Sequence, residues 1–331
     1  MRGKSSSSFR IGVDLMGSDA APGTLLKAVV ALSSTLPKNI RLVLLGSSRL
    51  FLENSLPNSI EAISAKEVIS MEDDPLIAVR RKKKSSLLVG IDLLKKRKLH
   101  ALVTAGNTGA LLASAKLFLP MLPSIARPAL LALLPAQDKE VAVLDVGANL
   151  TCKAEHLYQF ALMGIAYQKT RGVSNPVVGL LNIGSEKKKG TPELRKAYEK
   201  LEQLNKGSRS FKPFVGNVEG RAVFKGKIDV LITDGFVGNV FLKTVEGIGA
   251  FLLEGLEKSI GEESSLNLKN ILSSLRYRLN YEQYPGAILC GVDGIVIKCH
   301  GDGSPEALTH SIEAAARLLN HSFLDQIKTQ L

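Results

Sequence analysis

Asparagine and glycine recur in four short turns, each directly after an apolar run of strand character, and these are residue types that can hold an anion. The first turn carries Gly106, Asn107, Thr108 and Gly109, and the second Asp145, Gly147 and Asn149. The third carries Asn182, Gly184, Lys188, Lys189 and Gly190, and the fourth Asp234, Gly235, Gly238 and Asn239. Glycine lets the main chain approach a ligand closely, and a helix following a turn offers unpaired N–H groups and the positive end of its dipole. In an open α/β sheet, ligands lie outside the carboxyl ends of the strands. Four such turns converging on one sheet edge would suit phosphate. A lysine beside a glycine turn adds a point charge that can hold phosphate or polarise a carbonyl oxygen. Lys189 is the first candidate for that part and Lys188 its alternative, with a solvated lysine loop as the plainer reading. Asn239 can donate from its side-chain amide to an oxyanion or phosphate, or simply cap a helix.

Other reactive types are weaker candidates. Asp14 and Asp145 are expected to orient main chain and lysines, since a carboxylate would repel phosphate. His156, early in a helix, is the general-base candidate, and His300, before a glycine, stands similarly. Cys152 is a nucleophile by type, but no base is spaced to pair with it, and a small buried hydrophobe is the commoner role. Three cysteines without C-x-x-C spacing read as reduced thiols, not as a disulfide framework or a zinc site.

The elements that must position these residues follow from periodicity. Strands are expected at 9–13, 41–45, 61–64, 101–104, 129–134, 141–145, 177–183 and 228–233, with a hairpin-like pair at 287–290 and 294–298. Helices are expected at 22–36, 75–98, 109–118, 154–171, 191–205, 239–260 and 305–319. The last has a strong start: Ser304 as cap, Pro305 in the first position and Glu306 in the first turn. Alternating strands and helices argue for a mostly parallel sheet covered on both faces. The 331 residues are read as a disordered N-terminal tail over 1–8 and a single domain over 9–331. Residues 245–284 break the rhythm with two amphipathic helical stretches, suited to core packing, a dimer interface or a membrane-touching tip, where Arg276 and Arg278 sit among apolar residues.

The formal charge of +12 implies acidic partners. Much of the excess lies in Arg80-Arg81-Lys82-Lys83-Lys84 and Lys95-Lys96-Arg97-Lys98. Nucleic acid is disfavoured, because tryptophan is absent and no reading-head motif appears. The start of the chain lacks the apolar segment of a secretory signal, and no apolar run is read as long enough to span a bilayer.

In their order along the chain, several segments resemble the bacterial phosphate acyltransferases (the PlsX family). They are Val13-Asp14-Leu15-Met16-Gly17-Ser18-Asp19, Ala78-Val79-Arg80-Arg81-Lys82-Lys83, Thr104 to Ala110, Arg127-Pro128-Ala129, Leu144 to Asn149, Cys152-Lys153-Ala154-Glu155-His156-Leu157, Gly179 to Gly190, Gly216 to Arg221 and Asp234 to Lys243. The resemblance runs from Ile11 to about Ala315, with departures at Ser18, Pro285 and Asp302. It implies a homodimeric three-layer α/β/α enzyme similar in fold to the isocitrate/isopropylmalate dehydrogenase group. The implied reaction moves a long-chain fatty acyl group from acyl carrier protein to inorganic phosphate, giving acyl-phosphate for phospholipid synthesis. No metal and no cofactor is implied. The place implied is the cytoplasm, peripherally at the inner face of the membrane, with Arg80, Arg81, Lys82, Arg276 and Arg278 meeting the acidic carrier or the lipid surface. Within that reading Lys189 and Asn239 carry catalysis. Gly106, Asn107, Thr108, Gly109, Asn149, Asn182, Gly184, Lys188, Gly190, Asp234, Gly235 and Gly238 line the phosphate and thioester site.

Such a reaction needs a phosphate held near the carbonyl, worth roughly 7–11 kcal/mol at ideal alignment, and a preorganised donor for the oxyanion, worth about 3 kcal/mol. It needs no enzyme nucleophile. The rivals are a short-chain phosphotransacetylase using coenzyme A, a dehydrogenase or decarboxylase on a related fold, and a non-catalytic basic protein that binds membrane or nucleic acid. The dehydrogenase reading lacks both a G-x-G-x-x-G after a strand and a tight aspartate cluster.

Overall fold

Runs of β-branched and leucine side chains alternate with 3.6-residue periodicity along the chain, and in the computed structural model most such runs are strands between helices, with β5–β6 and β10–β11 following one another directly. Residues 8–206, 211–259, 266–279, 284–299 and 303–330 are described; in the 266–279 stretch the side chains are described only for 270–276. The strands are β1 (Phe9–Asp14), β2 (Ile40–Gly46), β3 (Glu61–Ser64), β4 (Ala101–Thr104), β5 (Ala129–Pro135), β6 (Glu140–Leu144), β7 (Val178–Leu181), β8 (Phe214–Val218), β9 (Val230–Ile232), β10 (Ala287–Cys290) and β11 (Ile295–Lys298). The helices are α1 (Pro22–Ser33), α2 (Ser48–Leu52), α3 (Pro75–Arg81), α4 (Ser86–Lys95), α5 (Thr108–Phe118), α6 (Ala154–Thr170), α7 (Pro192–Leu201), α8 (Gly220–Val223), α9 (Gly235–Ser259), α10 (Leu266–Leu279), α11 (Pro305–Asn320) and α12 (Phe323–Gln330).

The chain divides into two compact units, one of Met1–Pro128 with Pro285–Thr329 and one of Ala129–Tyr284 with the last two residues. In the first, the strand order is β3-β2-β1-β4-β11-β10. All neighbours are parallel except the β10–β11 hairpin. The β1–α1–β2 connection steps one way along this sheet and β3–α4–β4 the other. Because such crossovers are right-handed, α1 and α4 cover opposite faces, and the direction reverses between β1 and β4. In the second unit, the order is β5-β6-β9-β7-β8, with β5 antiparallel and the rest parallel. Here β6–α6–β7–α7–β8 steps one way, and β8–α8–β9 returns to a place between β6 and β7. The core strands are buried along almost their whole length, as a sheet covered on both faces requires.

Four expectations need correction. The helix expected over 75–98 is two: Lys82 leaves helical geometry (φ −92°, ψ 58°), and Ser85 caps a new start by accepting the Leu88 N–H at 3.4 Å. Strand β8 was not expected, because Gly216 and Asn217 sit at its centre and both are poor strand formers; α2, α8 and α12 were likewise not foreseen. Helix α9 begins at Gly235, four residues before the expected start, since Asp234 accepts the Val237 N–H at 2.8 Å and caps it there. Finally, α9 is by length and composition apolar enough to cross a membrane, contrary to the reading that no run is, although Gly235 and Gly238 of its first turn are buried. The reading of a tail over residues 1–8 falls, except for Ser8, outside the described residues.

Candidate active site

A single buried carboxylate organises the turn after β6. Asp145 Oδ1 accepts the N–H groups of Leu130 (2.9 Å), Gly147 (3.2 Å) and Ala148 (3.0 Å), and Oδ2 accepts the main-chain (2.7 Å) and side-chain (2.9 Å) N–H of Asn149. Burial pushes its pKa upward, and these donors act in the opposite direction. With both oxygens engaged, Asp145 shapes the loop. Asn149 is correspondingly held, and its carbonyl accepts the Gly235 N–H at 2.8 Å.

That last bond brings in α9. A β-carbon at Gly238 would collide with the Asp145 carbonyl oxygen, and one at Gly235 would lie 2.6 Å from the Asn149 carbonyl oxygen. Glycine at both positions therefore lets the helix start sit directly on the 145–149 loop. One step on, Asn239 is exposed and its Nδ2 donates to the Val146 carbonyl at 3.1 Å. Gly147 (φ 139°) leaves that amide its space, since a β-carbon there would stand 3.3 Å from Nδ2. The second amide hydrogen of Asn239 has no bond recorded among the described residues and is available to a ligand.

The third turn leaves β7, which neighbours β9. Asn182 is buried; its Nδ2 donates to the Lys189 carbonyl (3.2 Å) and its Oδ1 accepts the Ile183 N–H (2.9 Å), so it cross-braces the loop. Gly190 (φ 85°) is a left-handed turn that a side chain would drive into Asn182, 2.6 Å away. Gly184 leaves room for the Lys189 stem, with a β-carbon there coming 3.2 Å from Lys189 Cγ. The three lysines divide. Lys187 is drawn off by Glu202 at 2.7 Å and by the Tyr198 ring at 5.1 Å. Lys189 Nζ is 4.0 Å from Glu186, with both groups about half exposed or more, which is a weak attachment. Lys188 has no ion partner among the described residues and is exposed. Two cations thus remain available at the carboxyl edge shared by β6, β9 and β7.

The first of the four turns belongs to the other unit, at the reversal between β1 and β4. Asn107 is almost fully employed: Oδ1 caps α5 through the Ala110 N–H (3.0 Å), and Nδ2 lies 3.1–3.2 Å from the carbonyls of Ser70, Met71 and Asp73. Thr108 opens α5, and Gly109 makes room for Pro75, whose Cγ would lie 2.5 Å from a β-carbon. Beside Gly106, Thr104 donates its hydroxyl to Asp14 at 2.9 Å and accepts the Gly106 N–H at 3.1 Å. Burial lifts the Asp14 carboxyl to about 6, against the opposing pull of its hydrogen bonds and of Lys298. The sequence reading passed over Lys298. It is a buried lysine ending an apolar strand, and its Nζ donates to the carbonyls of Ala105 (3.1 Å) and Cys299. A lone lysine in an Ile-Val-Ile-Lys run was the signal available. Asn217 was also missed; its amide holds the Glu186 carbonyl at 2.8 Å and so steadies the lysine loop. Gly17 takes the left-handed position (φ 76°) and Ser18 does not, so the serine is accommodated without strain.

The remaining candidates are placed as follows. His156 Nδ1 accepts the Lys153 N–H at 3.1 Å, a capping contact at the start of α6, and the ring is buried. Asp234 caps α9. Cys152, Cys290 and Cys299 form no disulfide. Arg80 and Arg81 are exposed with no ion partner among the described residues, whereas Lys82 is turned inward onto Asp73 (2.5 Å) and the Val68 carbonyl (2.9 Å). Arg276 pairs with Glu257 at 3.1 Å and links α10 to α9. The Arg278 side chain, His300 and Asp302 lie outside the described residues.

Residues 9–326 match the family described as "Fatty acid synthesis protein". The "Phosphate acyltransferase" of Chlamydia pneumoniae is 37% identical over 333 residues, covering 97% of this chain and 99% of that protein. Among solved structures, a phosphotransacetylase from Streptococcus pyogenes superposes with a TM-score of 0.64 at 15% identity, over 96% of this chain and 94% of the other. A 4-hydroxythreonine-4-phosphate dehydrogenase from Klebsiella pneumoniae does so at 0.54 and 13%, over 93% and 98%. These likenesses show the α/β fold expected from the sequence, shared with phosphotransacetylases and with a dehydrogenase group. By the full-length match, the chain belongs to the fatty acid synthesis protein family, together with the phosphate acyltransferases.

Proposed function

We propose that the protein transfers a fatty acyl group from a thioester to inorganic phosphate. A phosphate oxygen attacks the carbonyl carbon, the C–S bond breaks, and the thiolate leaves and takes up a proton, giving acyl-phosphate and free thiol. The observation that carries this reading is the pairing, in one family member, of the lysine-bearing glycine loop with the exposed Asn239 amide at one carboxyl edge. In it, Lys189 or Lys188 neutralises phosphate as a point charge, and Asn239 donates to the carbonyl oxygen as negative charge develops. Asp145, Asn182 and Gly238 act as positioning residues. Phosphate is already an anionic nucleophile, so His156 can remain a capping residue.

Acyl carrier protein is the proposed donor. The exposed Arg80 and Arg81 on α3, in a chain of net charge +12, complement an acidic carrier. Purified protein incubated with long-chain acyl carrier protein and phosphate, with hydroxylamine as trap, is expected to give phosphate-dependent acyl hydroxamate. Product from acetyl-coenzyme A instead would move the reading to a short-chain phosphotransacetylase, and no product from any thioester would overturn acyl transfer.

A homodimer and a peripheral place on the membrane belong to the same reading. The exposed apolar residues Ile248 and Phe251 of α9 support both. Co-flotation with anionic vesicles at low salt is expected; a protein that stays at the bottom of the gradient would sink the membrane part.

A further inference from the structure

An apolar cavity of about 440 Å³, open to solvent where Ile248 and Leu252 are half exposed, lies within the second unit, lined among others by Pro135, Phe224, Val245, Ile248, Leu252 and Leu275. Its lining holds one polar side chain, Gln137, and no charged one. The volume falls in the roughly 300–1,000 Å³ range of small-molecule sites, but a lining this apolar suits neither phosphate nor a nucleotide. A hydrocarbon chain is the chemical class that fits.

Two features tie the cavity to the candidate active site. The first is α9 itself. Val245 follows Gly238 by two turns on the same side of the helix, and Ile248, Gly249 and Leu252 continue that side. At 1.5 Å per residue, Val245 stands about 9 Å along the helix from Asn239, and Leu252 about 20 Å. The second is an aromatic wall. Phe224 packs against Phe241 with ring centroids 5.9 Å apart, and Phe241 lies against Gly220, where a β-carbon would come within 3.3 Å of its ring. Gly220 opens α8 at the carboxyl end of β8, so this wall extends from the cavity toward the edge that carries the lysine loop.

We propose that this cavity receives the acyl chain of the thioester, with the reacting carbonyl at the Asn239 end of α9 and the chain running along the helix. The proposal rests on the acyl-transfer reading, and deepens it by giving the chain a site. The wild-type protein, irradiated with a photoreactive long-chain fatty acid, is expected to carry label on the peptides containing Phe224 or residues 245–252. Label confined to other peptides would overturn the site, whatever the enzyme's activity proves to be. Val245→Phe and Ile248→Phe, which fill the cavity, are then assayed with donors of increasing chain length. KM is expected to rise about fourfold for each methylene excluded from the cavity, leaving donors short enough to stop before it unchanged. An equal rise at all lengths, or none, would overturn the proposal. So would a changed sedimentation coefficient with an unchanged chain-length profile, which would assign the cavity to a second copy of the chain. Absence of acyl-phosphate with every donor would instead reject the catalytic reading and leave the labelling result standing alone.

Discussion

The carboxyl edges of the two units are built on the same plan and finish differently. Each places a buried aspartate where the first parallel strand ends, and each surrounds it with a glycine turn. In the second unit Asp145 is met by five hydrogen bonds from Leu130, Gly147, Ala148 and both nitrogens of Asn149. In the first, Asp14 is met by the Met16 N–H at 3.1 Å, the Thr104 hydroxyl at 2.9 Å and the Ser86 side chain, with the buried Lys298 nearby. Beyond the aspartate the two edges diverge further. Asn107 spends its amide on three carbonyls and its oxygen on a helix cap, whereas Asn239 stands exposed with one bond, on an edge whose loop carries two exposed lysines, Lys188 and the weakly paired Lys189. Among the described residues, the polar groups of the first edge around Asp14 and Asn107 are satisfied internally. The second is a frame with donors left over, and leftover donors are what a reacting anion requires.

The comparison is most directly broken by removing those donors. Lys189→Ala and Asn239→Ala are each expected to lower turnover by about 10²–10³-fold, roughly 3–4 kcal/mol, the scale of losing one transition-state donor. Thermal stability should hardly change in Lys189→Ala, because Lys189 is held only by a 4.0 Å surface pair, and should fall by about 1 kcal/mol in Asn239→Ala, which loses the bond to the Val146 carbonyl. Steady-state kinetics beside a melting curve separates the two effects. If Lys188→Ala lowers turnover and Lys189→Ala does not, the assignment moves one residue along the loop. Normal kinetics in both would make the lysine loop a solvated surface and erase the distinction between the edges.

How far the sequence could be read follows from the same contrast. Strands β1, β4 and β10 were legible to within a residue because apolar side chains fill both faces of a covered sheet or stop at a polar turn. Helix α11 was legible through Ser304, whose hydroxyl accepts the Ala307 N–H at 3.2 Å as its type predicts. The glycine turns announced themselves, but not what each polar residue does within them. Asn107 and Asn239 are the same residue type in similar turns, and only the three-dimensional neighbours decide that one is consumed while the other keeps a single bond and stays exposed. Strand β8 hid because Gly216 and Asn217 are there for Tyr198 and the Glu186 loop, not for strand propensity. Lys298 hid because burial of a lysine depends on carbonyls contributed from distant segments, Ala105 among them.

The smaller effect sharpens the comparison from the first edge. Burial lifts the Asp14 carboxyl from its ordinary 3.8 to about 6, so the folded state binds this proton more tightly than the unfolded chain does. The contribution to stability is therefore fully present below about pH 4 and is lost as pH rises to about 6, a change of roughly 3 kcal/mol at most. Asp14→Asn keeps the shape and cannot titrate. Urea denaturation of both proteins from pH 4.5 to 7.5 should show the wild type losing stability relative to the variant up to about pH 6, and the two curves running parallel above it. A gap that stays constant with pH would mean that Lys298 and the hydroxyl donors already balance the charge. The two aspartates would then be equivalent, and the difference between the edges would reside wholly in the exposed donors around Asn239 and the lysine loop.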